Sequence, residues 1–185
     1  MRSILAGLAG GIAMFVWMSI AHMATPLGTM GFSEIPNEKP VLAAMKTSIK
    51  VKDGLYMFPW VDPKDPQMME KGLELTKTNP EGILLYHAPG SATAMGPMLL
   101  HEFLKELAQS FLGVFLLSLT ALTGYFARAG FVGLIGVFAA FGQDTSYFIW
   151  YGFPLSYTLA QITIGVVGAL VAGLAIAAIA KPKPA

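Results

Sequence analysis

Hydrophobic positions in this chain gather into four long blocks, and polar sequence separates them unevenly. The first block runs from Ile4 to Ala21, eighteen residues without a charge, with Arg2 before it. At about 1.5 Å per residue it just spans a ~30 Å hydrocarbon core with help from its flanks. The second, Leu107 to Phe126, is twenty residues free of charge, entered through a polar stretch of His101, Glu102, Lys105 and Glu106. Arg128 marks a tight exit before the third block, Ala129 to about Trp150. Gly152-Phe153-Pro154 makes the next turn, and the fourth block, Leu155 to Ala180, ends in Lys181-Pro182-Lys183. The pattern predicts an all-α membrane protein, a four-transmembrane-helix bundle. A basic start followed by an apolar run also fits a signal peptide cleaved after Ser19-Ile20-Ala21. The GxxxG spacing of Gly7 and Gly11 favours a helix retained for contact with another helix.

Residues 26–97 differ in character: charges, prolines and turn residues replace the apolar blocks. Pro26 and Gly28 end the first helix. Asn37 is placed to cap a helix over Glu38 to Ser48, with Pro40 in its first turn and Val41, Leu42, Met45 and Ile49 on one side. Leu55 to Trp60 reads as a short strand ended by Pro59. Asp65-Pro66 suits the cap and first position of a helix running to about Thr76. Ile83 to His87 reads as a second strand, closed by Pro89-Gly90. The expected organisation is therefore transmembrane helix 1 in residues 1–25, a small α+β extracytoplasmic cap in 26–97, and transmembrane helices 2–4 with a short cytoplasmic tail in 98–185. A cap of this size buries little core alone and is expected to rest on the membrane domain or on a partner.

Composition sharpens this reading. Hydrophobic residues make up 55% of the 185 positions and charged residues 12%, against about 25% charged in an average soluble domain. The net charge of +1 gives no basic face for nucleic acid. There is no Cys, which excludes disulfides, thiolate chemistry, iron–sulfur clusters and Cys-type zinc sites. Arg2, Arg128, Lys181 and Lys183 occupy the two tails and the short second connection, with no acid among them. All lie on one side of a four-span protein, and the positive-inside rule places that side in the cytoplasm. The cap, with seven Lys against eight acids, then faces the other way.

Candidate chemistry is sparse. His22, His101, Glu102, Glu106 and Asp144 converge at one depth near the outer membrane face in this topology. Two carboxylates beside two imidazoles suit a divalent metal such as zinc, copper or iron, or a proton relay. The leading reading is simpler: these groups anchor helix ends at a wet interface, and Lys105 pairs with a neighbouring carboxylate. No HExxH-type spacing specifies a metal, and no Walker motif, GxSxG elbow or dinucleotide fingerprint specifies an enzyme class. A bis-His haem would need facing histidines at membrane depth, and His22 and His101 both sit at helix ends. His87 reads as an ordinary strand-end residue. Transport lacks repeated halves or a polar midplane site. Tyr147, Trp150, Tyr151 and Phe153, with Phe148, form the expected interfacial belt. Gly165, Ala169, Gly173 and Ala177 recur every four residues along the fourth block, a small-residue ladder expected to pack on Gly7 and Gly11 of helix 1 or, alternatively, on another subunit.

Several of these segments carry a resemblance. The opening Ala6-Gly7-Leu8-Ala9-Gly10-Gly11, the Pro36-Asn37-Glu38 start of the cap, Tyr56-Met57-Phe58-Pro59 and the Tyr151-Gly152-Phe153-Pro154 turn are similar to a family of small, uncharacterised bacterial inner-membrane proteins. The resemblance spans nearly the whole chain. It implies a bacterial cytoplasmic membrane and a periplasmic cap, and it carries no catalytic or binding residue with it. The functional expectation is a non-catalytic accessory or structural subunit that meets partner subunits or further copies of itself in the bilayer, with no cofactor. The alternatives are a metal-binding membrane protein using the five polar residues, and a lipid- or quinone-handling protein using the aromatic belt.

Overall fold

The computed structural model describes residues 1–50, 53–91 and 94–182, so Lys183 of the basic tail lies outside them. The chain divides into two compact units, residues Met1–Phe32 with Ala94–Ala185, and Ser33–Thr93.

The first unit is helical. Its helices are α1 (Arg2–Met23), α4 (Met95–Ser118), α5 (Tyr125–Tyr151) and α6 (Leu155–Ile179), while α2 (Glu38–Ser48) and α3 (Met68–Thr76) belong to the second unit. Three of the four, α1, α5 and α6, are long and apolar enough to cross a membrane. The chain is thus compatible with a multi-pass membrane protein. After α1, Thr25 reverses the backbone: its hydroxyl donates to Ala21 O at 2.7 Å and accepts from Leu27 N at 3.2 Å, opening a 3-10 turn over Pro26–Gly28.

The second apolar block does not form one helix. Leu107 to Phe126 is expected to be continuous, yet α4 stops at Ser118 and α5 starts at Tyr125. Hydropathy is blind to this break because the intervening Leu119 to Gly124 is itself uncharged. The hydrogen bonds explain it: the Thr120 hydroxyl donates to Leu117 O at 2.8 Å, a local bond that competes with helix continuation. Arg128 consequently sits inside the first turn of α5 rather than in an exit loop.

α6 lies along both α5 and α1, and α1 along α4, while α4 and α5 touch only briefly. The core where these helices meet contains Ala6, Met14, Val114, Val132, Ala172 and the fully buried Ile176. Small residues set the close approaches. A Cβ at Gly11 would lie 2.9 Å from the Leu107 backbone, and one at Gly173 would lie 2.6 Å from Ala129 O. The pairing differs from the expected one. Gly165 faces Ala140, Ala169 faces Gly136 and Gly173 faces Ala129, so the ladder of α6 packs on α5. Gly7 and Gly11 face Phe111 and Leu107 of α4 instead. The α1–α6 contact runs through Gly168, which meets Trp17 and Met14, and through Gly10, which meets Ile176. Residues one position off the ladder carry it because α6 presents two stripes to two neighbours.

The second unit contains α2 (Glu38–Ser48), β1 (Asp53–Phe58), α3 (Met68–Thr76) and β2 (Gly82–His87). The strands pair antiparallel with Leu55 opposite Leu85 and Met57 opposite Ile83. α2 has its expected limits, but Asn37 starts it through a left-handed backbone (φ 56°) and not through a side-chain cap. α3 begins two residues later than Pro66. Asp65 still organises its entry, its carboxylate accepting from Gln67 N at 2.9 Å and its carbonyl from Met68 N at 3.0 Å.

Candidate functional site

The expected polar cluster is only partly assembled. His22, next to last in α1, and His101, in the second turn of α4, are both exposed. Among the described residues, no three His, Asp or Glu side chains gather as metal ligands. Glu102 and Glu106 do share one partner that metal-ligand reasoning passes over. The Lys105 ammonium donates to Glu102 Oε1 at 2.8 Å and lies 3.0 Å from Glu106 Oε1. Glu106 is wholly buried, and both of its oxygens lack an aligned hydrogen-bond donor among the described residues. The close ammonium therefore acts on it as a charge rather than as a directed donor. One turn further along the same face, the buried Ser110 hydroxyl donates to Gly7 O at 2.8 Å and ties α4 to α1. Asp144, on α5, has no ion-pair partner among the described residues.

Because α4 and α5 barely meet, a groove of about 340 Å³ opens between them, with α1 and α6 as its floor. Its polar lining includes Lys105, Gln109, Gln143, Asp144 and Gln161, spread along it: Gly165 meets Ala140 and Gly113 meets Val132, so Asp144 lies towards Gln161 and Gln109 farther along, towards Gly113. Most of its remaining lining is small or aliphatic, among it Gly113, Val132, Ile135, Ala139, Ala169 and Ala172. At about 1.5 Å per residue, Asp144 to Val132 covers ~18 Å along α5 and Lys105 to Gly113 ~12 Å along α4. The groove is thus a slot with polar side chains spaced among small and aliphatic ones. Sequence reasoning misses it because three single glutamines on three helices form no local motif. Their signal is only that each interrupts or borders an apolar run.

The aromatic residues cluster around the α5–α6 turn. Tyr147 stacks on Phe153 at 5.5 Å between centroids, and Phe153 meets Tyr157 at 5.2 Å. Phe32 approaches Tyr157 edge-on at 5.5 Å. Trp150 stands 79% exposed, and Tyr151 is exposed beside it. At the opposite end of α5, the buried Arg128 guanidinium donates to Ala177 O at 3.2 Å and Ala180 O at 2.6 Å. These are carbonyls of the last turn of α6, where free acceptors and the dipole favour a cation.

In the second unit, His87 Nδ1 lies 2.9 Å from Asp53 Oδ1 across the strand pair, and both are exposed. Asp65 receives the Lys71 ammonium at 2.6 Å, and this bond, followed by the Gln67 amide, holds its carboxyl below the ordinary 3.8.

No family model matches the chain, and no curated protein or solved structure shows significant similarity to it.

Proposed function

We propose that this chain is a non-catalytic, multi-pass membrane subunit whose cap completes its core against a partner protein of the same membrane complex. One observation carries the reading. Among the described residues of the cap, Tyr86 is the buried hydrophobic side chain, and α2 and α3 bury none. Leu55 and Leu85, directly paired, are 71% and 66% exposed, and Met57 lies exposed on the same face. Trp60, Met69 and Leu73 are exposed as well. A two-stranded ribbon is marginal in water, and an apolar face of this kind marks an interaction surface.

In this proposal α4 is a fourth span. Its 24 residues reach about 36 Å, and because Leu107 packs on Gly11 near the middle of α1, Glu102, Lys105 and Glu106 lie within the outer half of the span, where Lys105 pairs with both carboxylates. Both termini lie in the cytoplasm of a bacterial cell and the cap in the periplasm, as the basic short segments and the family resemblance suggest. Reporters fused after Ala185 and inserted near Lys64 should then report opposite sides; agreement between them would overturn the topology.

The subunit reading is tested by native electrophoresis of mildly solubilised membranes, with mass spectrometry of the band. The expected result is a heavy assembly of fixed composition that disperses in a Leu55→Lys, Leu85→Lys double variant while the chain stays inserted. A wild-type band of a single chain, or an assembly indifferent to the double variant, would refute it.

A further inference from the structure

We propose that the small pocket where four helix ends meet, walled by Arg128, Lys181 and Ser3, binds a phosphate oxyanion. The inference belongs to the helical unit alone and does not depend on the cap or its partner.

Position and charge point to an anion. The pocket, of about 50 Å³, is lined by Ser3 in the first turn of α1, Ser118 at the end of α4, Thr120 just after it, Arg128 in the first turn of α5 and Lys181 just past α6. No Asp or Glu belongs to its lining, and neither cation joins an ion pair among the described residues. Two helix starts and two helix ends converge here. Their end charges, about +0.5 for each start and about −0.5 for each end, cancel to first order. The charges of Arg128 and Lys181 are then left over. Arg128 is the costlier of the two, because only 4% of it is exposed. Its bonds to Ala177 O and Ala180 O satisfy donors without supplying a full negative charge. A buried charge of this kind calls for a counter-ion.

Donor set and size choose among anions. The Ser118 and Thr120 hydroxyls already donate to Phe115 O and Leu117 O. The remaining donors are further N–H groups of the Arg128 guanidinium, the Lys181 ammonium and the start of α1, where first-turn amides have no intrahelical acceptor. Guanidinium, ammonium and helix-start amides together are the donors that hold phosphate oxygens. One water needs about 10–15 Å³ of such space, so the pocket admits roughly three to five groups of that size, which suits the oxygens of one phosphate and excludes a sugar or a base. The helix ends also set its depth. With the helical unit in a bilayer, they lie at the border of the hydrocarbon, where phospholipids carry their phosphate and basic pockets between helices take it. Free phosphate offers the same chemistry from the aqueous side.

The test uses the full chain in uncharged detergent micelles at low ionic strength. Native mass spectrometry follows titration with dioleoylphosphatidylglycerol or with dioleoylglycerol, which lacks the phosphate. Phosphorus NMR follows the line width of inorganic phosphate added to the same protein. Phosphatidylglycerol should bind once per chain and at least about tenfold more tightly than dioleoylglycerol, equivalent to ~1.4 kcal/mol. Lys181→Gln, beyond the end of α6, should weaken that binding about fivefold, the share of one cation beside an anionic headgroup. Ser3→Asp puts a fixed carboxylate at the pocket yet suits the first turn of a helix, so it should abolish binding and leave helical circular dichroism unchanged. Lys64→Gln makes the same charge change in the cap and should alter nothing. A phosphatidylglycerol complex that inorganic phosphate does not displace assigns the site to the headgroup, and line broadening without a lipid complex assigns it to the free ion; both support the proposal. Equal binding of the two lipids with no broadening of inorganic phosphate, binding indifferent to Lys181→Gln and Ser3→Asp, or an equal loss from Lys64→Gln would overturn it.

Discussion

Replacing Gly173 by alanine offers a direct probe of how the helical unit is held together. A Cβ there would lie 2.6 Å from Ala129 O and 3.0 Å from Val132 Cβ, against the 3.4 Å at which ordinary contact begins. The nearest obstacle is backbone, so no rotamer change relieves it, and α5 and α6 must separate along their longest shared contact. Overpacking of this kind costs about 1–3 kcal/mol. Alanine recovers about 0.5–1 kcal/mol of helix propensity over glycine. The net expectation is a loss of about 1–2 kcal/mol, a five- to thirtyfold fall in the folded-to-unfolded ratio.

Two neighbours calibrate that figure. A Cβ at Gly165 meets only the Ala140 methyl, at 3.3 Å, and one at Gly130 meets nothing within 4 Å. Gly165→Ala should therefore be close to neutral, and Gly130→Ala should gain about 0.5–1 kcal/mol from propensity alone. All three are measured by SDS titration of the protein in mild detergent micelles, following helical circular dichroism and comparing midpoints. The order Gly130→Ala, wild type, Gly165→Ala, Gly173→Ala is expected from most to least stable. If Gly173→Ala matches or exceeds Gly130→Ala, the α5–α6 contact described above is wrong.

Arg128→Ala should destabilise the same unit by about 1.5–3 kcal/mol by removing a charge-assisted donor from the last carbonyls of α6, and limited proteolysis should then trim the C-terminal turn faster. Ser110→Ala removes one buried interhelical bond and leaves the Gly7 carbonyl its own helical partner, so a loss of only about 0.6 kcal/mol is expected in the SDS titration. In the cap, Asp65 is depressed below its ordinary 3.8, so it stabilises the entry to α3 above that pH, and the contribution disappears as pH falls through the lower folded value. Lys71→Ala should move the Asp65 titration upward toward 3.8, seen by NMR of its side-chain carboxyl, and an unmoved titration would remove Lys71 as the cause.

Local chemistry in this chain was legible where one residue decides one turn. The limits of α2 and the ends of β1 at Pro59 and of α3 at Thr76 follow from prolines and turn formers next to short periodic runs. The α4–α5 break was hidden because Thr120, Thr123 and Gly124 read as apolar sequence to any hydropathy count, although hydroxyls next to glycine are turn chemistry. Partner choice was hidden for another reason. A small-residue ladder states that some helix comes close, and its spacing does not distinguish α5 from α1. The roles of Arg128 and Ser110 were illegible too, since each bonds to carbonyls of a distant helix and carbonyls have no sequence signature.

The polar half of α4 accounts for both the weakest and the most informative part of the architecture. Glu102, Lys105 and Glu106 within five residues keep α4 from the hydropathy of its three neighbours. The same residues lie on two sides of the helix: Glu106 shares the buried face of Ser110, while Lys105 and Gln109 face the groove. A buried carboxylate needs a cation nearby, and Lys105, one residue away, reaches it from the groove side. That engagement leaves Lys105 shared between two carboxylates, Glu102 and Glu106. The burial of Glu106 against the bundle therefore rests on a single ammonium that reaches it from the groove side, and removing that ammonium leaves a buried carboxylate without a cation.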